Sequence, residues 1–145
     1  ETTATAGGPA EMPAEAGEDS EAGAEACALH YIDLINYTGM YPQVGLLEPL
    51  AAGSCGACDN YADNVTVLAD ERLHNSGPAV EVNDARAADL GDSTRVDVEI
   101  RQLPIDVVDS SGTVVDSYEQ ASATMVFDLT YQDSSWRLHT IRIAD

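Results

Sequence analysis

The residues best suited to chemistry in this sequence are three cysteines and one histidine, arranged in two short motifs. Cys55 and Cys58 form a CxxC motif, and Cys27 lies three residues before His30. A CxxC pair at the start of a helix can act in redox catalysis, because the helix dipole lowers the thiol pKa. In an exported protein the same pair forms a structural disulfide. We predict a Cys55–Cys58 disulfide and a buried free thiol at Cys27.

The same residues allow two other kinds of site. A thiol oxidoreductase places its CxxC motif after a strand, whereas helical sequence precedes Cys55. Cys27 and His30 could join the CxxC motif as the ligand set of a structural zinc. However, an apolar helix commonly holds a buried, inert cysteine, and exported cysteines usually oxidise. We therefore predict neither a metal nor a cofactor.

A second group of polar side chains could line a ligand pocket. Its members lie on the first predicted helix and the last predicted strand: His30, Tyr31, Asp33, Tyr37 and His139. An Asp together with a Tyr or His in one cavity can carry out the proton transfers of a small isomerase or cyclase. The alternative for each residue is a hydrogen-bonded position in the core.

The chain is strongly acidic. Its 145 residues include 26 Asp and Glu against 6 basic residues, giving a formal net charge of −20 at pH 7. This charge repels phosphate backbones and anionic lipids, so we expect no nucleic-acid partner and favour cations or basic proteins. Three acids flank a predicted hairpin without an EF-hand pattern, and we interpret them as a solvated rim: Asp106, Asp109 and Asp116.

The composition predicts one domain after a short linker. Residues 1–13 are rich in Thr, Ala, Gly and Pro and are expected to be disordered, while residues 14–145 form a single domain. The chain begins with Glu1, so we expect that a signal peptide or lipid anchor preceded it. We then expect the protein to lie outside the cell, at the cell surface, and to contact the membrane only through that removed N-terminal lipid anchor.

Apolar spacing predicts two helices followed by strands. The first helix runs from Ala14 to about Tyr37, and the second is capped by Ser54 and ends at Gly77 and Pro78. A first strand starts at Val80 and is expected at a sheet edge.

The remaining strands are predicted to be joined by hairpins. A long strand over residues 96–107 bends near Gln102 and Pro104, and a turn follows at residues 109–112. Residues 121–131 alternate regularly, whereas the alternation in residues 136–143 slips between Leu138 and Ile141. The predicted fold class is α+β, with the helices packed on a curved, mainly antiparallel sheet of about four strands.

The order of these elements resembles a known superfamily. Helices come first, and the chain closes with Trp136, Arg137 and Leu138 followed by Ile141 and Ile143. This resembles the cone-shaped, cystatin-like roll of nuclear transport factor 2, ketosteroid isomerase and the polyketide cyclases. In that superfamily, positions such as those of the candidate pocket residues hold acid or base groups in the enzymes and simple packing groups elsewhere.

The first half of the chain resembles an uncharacterised family of actinobacterial lipoproteins, a domain of unknown function. The resemblance rests on these residues: Met12-Pro13, Gly23-Ala24, Tyr31 to Leu34, Asn36-Tyr37, and Ser54 beside Cys55-x-x-Cys58. It implies an exported, lipid-anchored domain with a low-complexity linker. Cys27 departs from the family, which usually has an aromatic residue there.

Three functions follow from these observations. The first is a non-catalytic module of the cell envelope that binds a protein partner or a small apolar ligand in the concavity of the sheet. The second is an isomerase or cyclase of the same fold. The third is a thiol oxidoreductase that uses Cys55 and Cys58.

Overall fold

A computed structural model describes residue 9 and residues 11–144 of the chain. Most of the predicted linker, residues 1–13, lies outside the described residues. The helices are α1 (Glu21–Met40) and α2 (Gly56–Glu71), with 3-10 turns at Ala14–Gly17 and Glu48–Leu50. The strands are β1 (His74–Asn75), β2 (Val80–Asp89), β3 (Thr94–Gln102), β4 (Ile105–Val108), β5 (Val114–Tyr118), β6 (Ala121–Gln132) and β7 (Ser135–Ala144). Within these residues, no helix is long and apolar enough to cross a membrane.

The strands form two antiparallel sheets. The larger has four strands in the order β2-β3-β6-β7, and the smaller has three in the order β1-β4-β5. Both helices pack on these sheets, which confirms the predicted α+β class and places β2 at an edge as expected. The second sheet was not predicted.

The strand expected to bend near Pro104 is divided between the two sheets. β3 ends at Gln102 in the larger sheet, and β4 begins at Ile105 in the smaller one. Pro104 has no backbone N–H to donate to a neighbouring strand, so the ladder of β3 cannot continue through it.

The first helix begins later than the sequence predicted. Residues 14–17 form a separate 3-10 turn, and Ser20 caps α1 by accepting a hydrogen bond from the Gly23 N–H at 3.0 Å. Gly23 lies so close to the Glu18 carbonyl that a Cβ atom there would clash with it. The single helix predicted from Ala14 is therefore wrong, because a serine cap and a close chain approach interrupt it.

The second helix is capped by a different residue from the one predicted. Cys55 is the N-cap, and its Sγ accepts a hydrogen bond from the Cys58 N–H at 3.1 Å. The helix also ends earlier, at Glu71, where Arg72 adopts a left-handed conformation with φ 57°. The chain then enters the short strand β1, well before Gly77 and Pro78.

The slip in the alternation of the last strand is confirmed as a β-bulge. Asp128 pairs with Thr140 while Leu129 pairs with Leu138, which leaves His139 as the extra residue. The bulge keeps Leu138 and Ile141 on the buried side of β7.

Polar contacts of the side chains hold the helical layer on the sheet. The Asn36 side chain of α1 accepts hydrogen bonds from the Ala79 and Val80 N–H groups at 3.0 and 2.9 Å. It also donates to the Val80 carbonyl at 2.9 Å. At the other end of the molecule, the Trp136 indole N–H donates to the Glu18 carbonyl at 2.7 Å. These contacts fix α1 and the turn before it against β2 and β7.

Candidate functional site: an apolar cavity between the helices and the sheets

A cavity of about 600 Å³ lies between the helices and the two sheets. Both helices and all seven of the strands described contribute to its walls. Its apolar lining comes mainly from aliphatic side chains: Ile35, Leu47, Val65, Leu68, Val80, Ile100, Ile105, Val107, Met125 and Ile143. A volume of this size is typical of sites for small ligands.

The cavity exists because β6 changes from small to large side chains along its length. Ala121 and Ala123 line the cavity, whereas Phe127 and Leu129, on the same face of the strand, are fully buried. Phe127 packs edge-to-face against Tyr31 of α1, with ring centroids 6.5 Å apart. The large residues therefore fill one end of the space under the helices, and the alanines leave the other end empty.

The mouth of the cavity is formed by exposed lining residues. Asn60 and Asn64 lie one turn apart on the solvent side of α2. Two large apolar side chains of the same lining also remain unusually exposed, Tyr118 at 49% and Ile143 at 56%. Exposed apolar groups beside an apolar cavity are typical of an entrance for a ligand.

The described walls of the cavity carry no charged side chain. Their polar groups are amides and hydroxyls: Thr38, Asn60, Tyr61, Asn64, Asn75, Gln102 and Tyr118. Burial raises the pKa of Tyr61, so its hydroxyl stays neutral. These groups can form hydrogen bonds with a ligand, but they do not include the carboxylate or imidazole that acid–base catalysis near neutral pH uses.

The five predicted pocket residues do not come together around this cavity. Tyr31 is fully buried, and within the described part of the chain its hydroxyl has no hydrogen-bond partner. Burial raises its pKa. His30 is buried, and burial lowers its pKa while the nearby Asp33 carboxylate opposes that shift. Asp33 itself lies on the exposed side of α1.

The other two predicted residues lie in different places again. Tyr37 lines a separate open cleft, where its ring packs against Tyr41 with centroids 5.3 Å apart. His139 lies in the β7 bulge, with Nδ1 3.2 Å from the Ser54 hydroxyl and Nε2 2.7 Å from the Thr130 hydroxyl. His139 therefore joins the loop before α2 to β6.

Sequence reasoning missed the residues that form the cavity and its mouth, among them Asn60, Tyr118, Ala123 and Ile143. The available signal was the pair of alanines at the start of β6, in a face that continues with Met125 and Phe127. Small side chains on the buried face of a strand leave space unless the opposite layer fills it.

The predicted disulfide is confirmed. Cys55 and Cys58 are joined, with their Cα atoms 5.2 Å apart, and both residues are buried. Since both sulfurs are in the bridge, they are not the thiolates that the zinc site required. A buried disulfide is also poorly accessible to the attacking thiolate that redox exchange needs. Cys27 is a free cysteine at 1% exposure, and burial raises its pKa to about 11.

The acids predicted to form a rim lie at the β4–β5 hairpin, where Asp106 and Asp116 are exposed and Asp109 is half-buried. Asp109 accepts hydrogen bonds from the Ser111 hydroxyl and from the Ser111 and Thr113 N–H groups, which lowers its pKa. Asp106 accepts a hydrogen bond from the Ser117 hydroxyl at 2.8 Å. These carboxylates stabilise the hairpin.

Two solved structures are similar to this fold. One is the intermembrane space region of the chloroplast protein ARC6, with a TM-score of 0.65 at 10% identity, covering 88% of this chain and 98% of that one. The other is a putative calcium/calmodulin dependent protein kinase II association domain from Xanthomonas campestris. It has a TM-score of 0.53 at 13% identity and covers 94% of this chain and 92% of that one. At these identities the likeness concerns the fold alone.

The sequence comparisons give the family. No curated protein matches the chain. Residues 3–142 match a family of unknown function, DUF6318. Because this match spans nearly the whole chain, the protein belongs to the DUF6318 family.

Proposed function

We propose that this domain is a non-catalytic binding module that holds a small apolar ligand in the cavity between its helices and sheets. The observation that carries the proposal is the cavity of about 600 Å³, with its aliphatic interior and its exposed apolar mouth. Burial of an apolar ligand there would release about 25 cal/mol for each Å² removed from water. The isomerase alternative lacks a carboxylate or imidazole in the described walls, so binding is the better-supported function.

We also propose that the module works outside the cytoplasm, anchored to an actinobacterial cell envelope as a lipoprotein. The Cys55–Cys58 disulfide supports an oxidising compartment, where such bonds persist. The resemblance of the first half of the chain to actinobacterial lipoproteins supports the anchor. The order of helices and hairpins supports a fold like that of nuclear transport factor 2.

Binding can be measured with the neutral fluorophore N-phenyl-1-naphthylamine, which brightens in apolar surroundings. We expect a saturable rise in fluorescence with one site per chain. Ala123→Trp should weaken this signal, because Ala123 lines the cavity and the larger ring would occupy part of its volume. Ala88→Trp is the matched control, since Ala88 is an exposed residue of β2.

The stability of both variants is measured beside their binding. If Ala123→Trp is folded and still binds the probe as the natural protein does, the cavity is not the site. A linear, unsaturable signal in the natural protein would also overturn the proposal.

A further inference from the structure

We propose that the ligand of the cavity is uncharged and carries a hydroxyl or carbonyl group, which the side-chain amide of Asn75 binds. This inference rests on the proposed function and adds the chemistry of the ligand's polar group to it. The described walls hold no charged side chain, so an ionised group entering the cavity would lose its hydration without meeting an opposite charge. The polar part of the ligand is therefore neutral.

The side chain of Asn75 offers hydrogen bonds that no described residue takes up. Asn75 is half-buried in the wall of the cavity, and its amide makes no hydrogen bond among the described residues. Polar groups that are largely removed from water are nearly always paired in folded proteins. A carboxamide donates through its nitrogen and accepts through its oxygen, so it can bind either a hydroxyl or a carbonyl. A ligand in the cavity can supply the missing partner.

Gly39, in the last turn of α1, makes room for this amide. A Cβ atom at Gly39 would clash with Nδ2 of Asn75 and would lie 3.3 Å from its Cγ. Gly39 does not have the left-handed backbone that favours glycine, so the close approach of Asn75 is what requires a glycine there. Gly39 itself lines the cavity, and Asn75 is held in β1 by pairing with Val107 of β4. The helix and the strand together fix the amide at the cavity wall.

The other polar side chains of the lining are less suited to this task. Thr38 and Gln102 already donate hydrogen bonds to backbone carbonyls, at 2.7 and 3.2 Å. Three more are exposed, so water can pair with them: Asn60, Asn64 and Tyr118. Tyr61 is half-buried, and its hydroxyl has no partner among the described residues. The Tyr61 hydroxyl is therefore the competing candidate for the polar group of the ligand.

The test compares two ligands that differ by one hydroxyl group. Butylbenzene and 4-butylphenol each compete with N-phenyl-1-naphthylamine at neutral pH, and the ratio of their dissociation constants is measured for each variant. The hydration of the free phenol is the same in every experiment, so a change in this ratio reports on the protein. Asn75→Leu removes the amide and keeps a side chain of similar size. We expect this variant to lose about fivefold in its preference for the phenol, the value of one neutral hydrogen bond, while butylbenzene binds no more weakly than before.

Two matched controls and a second variant accompany Asn75→Leu. Asn60→Leu makes the same change at an exposed lining residue, where water replaces the amide, and should alter the ratio by less than about twofold. Gly39→Ala leaves Asn75 in place but puts a methyl group where Nδ2 lies, so the amide must move and the phenol preference should again fall. Gly56→Ala is its control, because a Cβ atom there meets nothing within 4 Å. Urea unfolding shows whether each variant is folded.

Each outcome has a definite meaning. An unchanged phenol preference in Asn75→Leu, or a loss of it in Tyr61→Phe instead, would overturn the role of Asn75. An equal loss in Asn60→Leu would overturn it as well. If Asn75→Leu does not fold, an unchanged preference in Gly39→Ala overturns the proposal. Butylbenzene needs no hydrogen bond, so its binding keeps the proposed function intact in all these cases, whereas that function itself fails if neither the probe nor butylbenzene binds the natural protein.

Discussion

Replacement of Asn36 by Ala should destabilise the protein through the edge strand that forms one wall of the cavity. The Asn36 amide makes hydrogen bonds to the backbone of Ala79 and Val80, both of which line the cavity. A neutral hydrogen bond contributes a net of about 1 kcal/mol, so complete loss of these contacts would cost about 3 kcal/mol.

Two effects reduce that cost. Asn36 is half-buried, so water can replace part of the lost bonding, leaving about 2 kcal/mol. Ala is also a better helix former than Asn by about 0.6 kcal/mol, and Asn36 lies inside α1. We therefore expect Asn36→Ala to lower the free energy of unfolding by about 1.5 kcal/mol.

Urea unfolding followed by circular dichroism measures this change as a lower midpoint with an unchanged slope. Asn83→Ala is the control, because Asn83 is an exposed bulge residue of β2 whose side chain makes no hydrogen bond among the described residues. Its effect should stay within about 0.5 kcal/mol. Equal midpoints for the two variants would refute the role assigned to the Asn36 amide.

Three further predictions concern the cysteines, a histidine and the net charge. Alkylation under denaturing, non-reducing conditions should label Cys27 alone, and native protein should resist labelling because that thiol is buried with its pKa raised to about 11; labelling of three thiols would contradict the disulfide. Burial lowers the pKa of His30, so the unfolded chain binds its proton more readily, and stability should fall by at most about 0.8 kcal/mol from about pH 7.5 to about pH 6. His30→Gln should lessen this dependence, and an unchanged pH profile would contradict the assignment. Because the net charge is −20, the melting temperature should rise between about 10 mM and about 1 M sodium chloride, and a flat or falling curve would show that repulsion does not limit stability.

Local patterns in the sequence were sufficient where one strand or one motif determines the structure. The alternation in residues 121–131 predicted β6, and the slip after Leu138 predicted the bulge at His139. Both depend on which side of a strand faces the core, and the sequence contains that information directly. The Cys55–Cys58 disulfide was also predictable from local sequence, because two cysteines three residues apart at a helix start lie close enough to be joined.

Local patterns failed where two signals competed or where distant segments meet. Pro13 and Ser20 both fit a helix start, and only the close approach of Gly23 to Glu18 shows that the chain uses Ser20. Gln102 and Pro104 predicted a bend within one long strand, but the chain changes sheet there, and the new partner of β4 is the two-residue strand β1, which is too short to have a pattern.

The candidate site was harder to predict than the fold. The sequence analysis selected polar residues that could do chemistry, such as Tyr31 and His139, whereas the cavity depends on the volume left by small side chains. That volume is a property of both helices and the seven described strands together. Ala121 and Ala123 were visible in the sequence, but whether a helix fills the space above them depends on tertiary packing.

The central claim, that the cavity receives an apolar ligand, is tested most directly by a methyl NMR titration with octanol, whose neutral head group leaves the charge of the ligand out of the experiment. We predict saturable shifts, with one site per chain, for the methyl groups of Ile35, Ile100 and Met125, which line the cavity. The methyl groups of Leu90 and Val115, which are 60% and 51% exposed, should not move. Shifts confined to Leu90 and Val115, or shifts that never saturate, would contradict the account.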